Sequence, residues 1–168
     1  MSKLKGIKKL NKAVSAQLAP FGIIKATLSD DYSYLFEDKI VTFKVTEDIE
    51  DKYFTSFIED RFNFKDENPF LTSIFHEIGH AKTWDVLTDE ILDFCFAEKE
   101  RINDQMLIAS TKEEVEKLEW QYFNLPDEIM ATAWAIDYIR NHPKKVKKMW
   151  KKIHEALNVF YQKNNVTE

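Results

Sequence analysis

The residues of this chain best spaced for chemistry are two histidines and a glutamate, in Phe75-His76-Glu77-Ile78-Gly79-His80-Ala81. When His-Glu-x-x-His lies on a helix, the two imidazoles share one face and chelate a single metal ion, zinc above all. Glu77 lies about 100° round the same turn, where it can take a proton from a water on the metal without being a ligand. Leu71, Ile74, Ile78 and Ala81 fall on the far side, an apolar stripe at helical spacing. His76 and His80 therefore do not belong to the face that anchors this helix. Gly79 costs a helix interior about 1 kcal/mol relative to alanine, and a close neighbour passing over the histidine face would account for it.

A catalytic zinc takes a third protein ligand and keeps a fourth position open. Thr83 and Val86 stand where longer zinc motifs continue with glycine and histidine. Asp85 points about 180° away from His76. Among the later histidines, His142 sits at a helix stop and His154 on the last helix, so both are weaker candidates. Glu128 is stronger: it falls in the first turn of a predicted helix, with Ala131, Thr132, Ala135 and Ile139 within about 60° of it on the wheel. Small side chains beside a carboxylate let that helix come close to another. Its neighbour Asp127 points about 100° away and suits the helix N-terminus as a dipole or capping charge. The same dipole role is the alternative reading of Glu128.

The elements that must position these residues follow from periodicity and breakers. Residues 2–19 form an amphipathic helix carrying Ile7, Leu10, Val14 and Leu18, ended near Pro20 and Gly22. Residues 23–45 read as three short strands, 23–28, 32–36 and 39–45, in a small antiparallel meander whose edge could accept an extended peptide. A helix over about 48–62 leads to a loop, and Asn68 and Pro69 cap and start the motif helix, 69–84. A helix over 89–108 follows, and Thr111 and Glu114 form a capping box for the next, which runs to Phe123. Pro126 starts the helix of Glu128, 127–140, and a last amphipathic helix spans 144–162. The expected fold is α+β, mainly helical with a three-stranded antiparallel sheet, in one domain over residues 1–168.

His76-Glu77-Ile78-Gly79-His80, with the later Glu128-x-x-Ala131-x-x-Trp134-Ala135, resembles the ImmA/IrrE-type gluzincin metallopeptidases of bacteria, phages and mobile elements. The resemblance covers about residues 70–140. It implies a minimal zincin-like domain in which His76, His80 and Glu128 bind zinc and Glu77 is the general base. Cleavage of a protein or peptide partner, such as a repressor-like regulator, is the implied activity. Tyr122, Tyr138, His142 and His154 are candidate donors to the oxyanion. Thr132 stands where that family commonly has an aspartate that orients a histidine. No helix-turn-helix segment is recognisable.

A chain of 168 residues, 44% hydrophobic and 14% aromatic, is long enough for a core. No apolar run reaches the roughly 18 residues of a membrane span, and the N-terminus lacks a signal-peptide stretch, so a cytoplasmic protein is expected. The single cysteine, Cys95, excludes an intrachain disulfide and reads as a small core hydrophobe. Net charge is −5, with basic residues gathered near both ends. That acidity argues against nucleic acid as the main partner, although the basic terminal helices are where such contact would fall. A zinc-binding interaction module without catalysis, for example a phage-encoded inhibitor, is the alternative to an enzyme.

Overall fold

The structure, a computed structural model, describes residues 5–46 and 49–164. Helices make up 74% of the described residues, which also hold one small sheet, so the fold is mainly helical α+β as expected. The chain divides into two compact units. One is built from both ends, Met1–Val45 with Tyr138–Glu168, and the other is Thr46–Asp137.

The first unit opens with helix α1, Ile7–Leu18, and closes with α7, Pro143–Asn164. Residues 2–4 of the expected first helix and 165–168 of the tail lie outside the described residues. Leu10, Val14 and Leu18 are buried on α1, and Met149, Ile153, Leu157 and Phe160 on α7, each set at the spacing that makes one apolar stripe. Gly22 takes φ 87°, a left-handed turn that suits a residue without Cβ, and the chain enters the sheet there.

The sheet is not the expected antiparallel meander. Strands β1 (Lys25–Leu28), β2 (Ser33–Leu35) and β3 (Ile40–Phe43) lie in the order β1-β3-β2. β1 runs parallel to β3, with Lys25 opposite Ile40, while β2 is antiparallel to β3, with Ser33 opposite Thr42. Alternation of side chains fixes which face is buried but not which strand pairs with which. β3 is the most β-branched of the three and buries Val41 and Phe43, so it takes the centre, where both of its edges are hydrogen-bonded. The outer edge of β1 is already occupied. Ala26 N–H donates to Ser15 Oγ at 2.8 Å and Leu28 N–H to Asn11 Oδ1 at 2.9 Å, both from α1. An added strand could therefore join only at β2.

The second unit is helical: α2 (Ile49–Phe62), α3 (Pro69–Thr83), α4 (Asp89–Ile108), α5 (Lys112–Phe123) and α6 (Pro126–Asn141), whose last turn belongs to the first unit. Residues 47 and 48, where the start of α2 was expected, lie outside the described residues. Local chemistry sets the starts of these helices. Asn68 Oδ1 accepts from Leu71 N–H at 3.1 Å with Pro69 just inside α3, and Thr111 and Glu114 make the reciprocal capping box of α5. An aromatic core of Tyr53, Phe54, Phe57, Ile58, Phe123 and Ile136 joins α2, α5 and α6, and a smaller cluster of Cys95, Ile102, Leu118 and Leu125 joins α4 to α5. Among the described residues no helix is long and apolar enough to cross a membrane.

Candidate metal centre

The motif helix α3 is buried from Leu71 through Gly79, so it runs through the interior of the second unit rather than along its surface. What lets another helix reach it is Gly79. A Cβ built there would lie 2.3 Å from the carbonyl oxygen of Ala131 and 2.8 Å from its Cα and carbonyl carbon. The contact is main chain against α6, and only glycine permits it. This is the close neighbour that the glycine in the motif called for.

That crossing brings Glu128 to the histidines. His76 Nε2 lies 2.9 Å from Glu128 Oε2, His80 Nε2 lies 3.5 Å from Glu128 Oε1, and the two Nε2 atoms are 3.2 Å apart. Ligands bound to one zinc at 2.0–2.2 Å in a tetrahedral array sit about 3.3–3.6 Å from one another. The two ring nitrogens are spaced much as one ion would space them, and the Glu128 carboxylate faces both, Oε2 toward His76 and Oε1 toward His80. Glu77 Oε1 is 4.0 Å from His76 Nε2, beside this triad, and its carboxylate lies within 4.8 Å of donor atoms of both histidines. Phe54 covers His76 edge-on, with ring centroids 4.9 Å apart, and screens that side from water.

The site is dry and charged. His76, Glu77, Asp127 and Glu128 are only 6%, 7%, 4% and 3% exposed. Burial alone would raise the Glu128 carboxyl, but the charges of His80 and His76 and their hydrogen bonds hold it well below the usual carboxylate range. Lys99 of α4 brings one ammonium to two of these carboxylates. It donates to Asp127 Oδ2 at 2.5 Å and to Glu128 Oε1. The paired imidazole nitrogens and the carboxylate are a donor set zinc takes. The residues present fit a zinc ion.

Thr132 holds the position next to the metal side. Its Oγ1 lies 3.0 Å from His76 Nδ1, so with Nδ1–H donating to the hydroxyl the Nε2 lone pair faces the triad. The orienting part expected of an aspartate at this position falls to the threonine itself. Thr132→Val removes the acceptor at nearly constant shape. Zinc affinity, measured by chelator competition, is expected to fall about 10-fold to 100-fold, the scale for partners that orient a ligand. An unchanged affinity would show that His76 needs no such support.

Of the four candidate oxyanion donors, Tyr122 belongs to the unit that carries the triad. Burial first, then the charge of Glu128, pushes its phenol above the ordinary tyrosine range, so it keeps an O–H to donate. Its ring also lies under the Lys99 ammonium, 5.2 Å from the centroid. Tyr138, His142 and His154 belong to the first unit. There Tyr138 stacks on His142 at 4.3 Å, and His154 packs on Trp150 at 5.1 Å.

Lys99 was not anticipated. Its signal is a lysine in the buried stripe of α4, one helical turn after Cys95 and shortly before Ile102. Asp127, expected as a dipole charge at the helix start, is instead buried and paired with that lysine. Comparison with protein families, with characterised proteins and with solved structures finds no match to this chain.

Proposed function

We propose that the second unit is a zinc-dependent peptidase of the ImmA/IrrE kind, acting on a protein or peptide partner. The observation that carries this reading is the buried convergence of His76 Nε2, His80 Nε2 and the Glu128 carboxylate, whose Oε2 lies 2.9 Å from His76 and Oε1 3.5 Å from His80, with Glu77 beside them. His76, His80 and Glu128 would hold the metal. Zinc, when bound there, supplies Lewis acidity toward a peptide carbonyl and toward water. Glu77 keeps its carboxylate outside the ligand set, so it can accept the proton of the attacking water and pass it to the leaving amine. Tyr122 can donate its O–H to the carbonyl oxygen as charge develops on it. Phe54 keeps bulk water from the His76 side, where these interactions are stronger for being dry.

Metal analysis of the purified protein tests the first half of this. One zinc per chain is expected, and free zinc at about 100 times its Kd should stabilise the protein by about 2.7 kcal/mol over the chelated form. That appears as a rise of several degrees in Tm, with about 2–4 °C for each kcal/mol in chains of this size. Absence of zinc, and no response of Tm to it, would remove the metal reading. A zinc-binding inhibitor that hydrolyses nothing is the outcome if zinc is present but Glu77 proves dispensable.

A further inference from the structure

We propose that Lys99 keeps Asp127 out of the metal's ligand set, and so preserves the open coordination position that hydrolysis needs. This rests on the metal reading above. Asp127 and Glu128 are consecutive residues in the first turn of α6, and both are buried. His80, Asp127 and Glu128 each offer a donor atom within 4.8 Å of the others, as do His76, Glu77 and His80. His76 lies against His80 and Glu128, and Asp127 is grouped with those same two, so Asp127 is the side chain that could add a fourth ligand. Four protein ligands make a structural zinc site, whereas three and an open position make a catalytic one.

Lys99 stands in the way of closure. Its Nζ lies between the two carboxylates, 2.5 Å from Asp127 Oδ2 and hydrogen-bonded to Glu128 Oε1, the oxygen on the His80 side, which leaves Oε2 to face His76. Asp127 Oδ1 is buried without a conventional hydrogen-bond partner among the described residues, and the Cys95 thiol, a weak donor, lies against the Asp127 side chain. Asp127 is therefore a buried carboxylate with spare donor capacity, held by one ammonium. Remove that ammonium, and two adjacent buried carboxylates lose their compensating charge. The metal is then the one strong cation left for both. Lys99 comes from α4, so its position is set independently of the helices that carry the ligands.

The test is zinc affinity by chelator competition, together with the visible spectrum of the cobalt form with and without azide. Lys99→Met and Lys99→Gln are expected to bind zinc at least tenfold more tightly than the unaltered protein, and azide should no longer change their cobalt spectra. Glutamine is uncharged but polar and can donate a hydrogen bond, which preserves the test if the methionine form does not fold. Lys99→Arg keeps the cation and should behave as the unaltered protein. Adding Asp127→Asn to Lys99→Met should abolish the gain in affinity and restore the azide response. If the uncharged variants bind zinc no more tightly, or their cobalt spectra still respond to azide, Lys99 does not withhold Asp127 and the inference is wrong. If the unaltered protein takes up neither zinc nor cobalt, the metal reading itself fails, and this inference with it.

Discussion

Glu77→Gln is expected to retain a full complement of zinc while proteolytic activity falls by about 100-fold or more, the scale of a positioned general base. Glutamine keeps the shape and can hydrogen-bond, but it cannot take up a proton. Because Glu77 lies beside the triad and 4.0 Å from His76 Nε2, its loss leaves the three converging donor atoms untouched. Tm of the zinc-loaded protein should change far less than activity, since glutamine keeps the shape and the capacity to hydrogen-bond. His80→Ala behaves differently: metal, activity and the zinc-dependent part of stability go together. Activity can be followed as cleavage of a cognate partner in cells. Full biological function in Glu77→Gln would turn the protein into an interaction module that carries a zinc site.

Gly79→Ala is the second large effect, and its sign is decided by two opposed terms. Alanine is the better helix former by about 1 kcal/mol. Against this, its Cβ would stand 2.3 Å from the Ala131 carbonyl oxygen, well inside contact distance. The obstacle is main chain, so no side-chain rotation relieves it, and α3 and α6 must part. Overpacking of this sort costs about 1–3 kcal/mol, occasionally more. Glu128 moves away with α6, and ligand distances tolerate only about 0.2 Å. We expect a lower Tm, zinc affinity reduced at least tenfold, and a zinc-induced rise in Tm that nearly vanishes. A variant as stable and as zinc-avid as the parent would mean that the two helices do not meet at this point.

Much of this arrangement could be read from local sequence because its signals are local. Asn68 with Pro69, Thr111 with Glu114 and the breaker Pro126 place helix starts by hydrogen bonds a few residues long. Ala131, Thr132 and Ala135 flank Glu128 on the wheel, and all three are buried. Trp134, next to the buried Ala135, is half-buried. The sheet order was not legible, since the pairing of β1 with β3 skips the strand between them and alternation carries no such information. Neither was the division into two units, one of which joins the two ends of the chain. Lys99 escaped for a related reason: a lysine in an apolar stripe announces a buried partner, but the carboxylates that explain it lie on another helix.

The contact at Gly79 also bears on how such a protein can change over time. Because the obstructing atoms belong to the main chain of Ala131, no replacement at position 131 makes room for a side chain at 79. The glycine is thus tied to the approach of α6 and not to any particular neighbour. A descendant that no longer needs Glu128 near the histidines can let the helices separate, and only then does position 79 become free to vary. Loss of that glycine would accordingly mark lineages in which Glu128 no longer meets the histidines, even where both histidines persist.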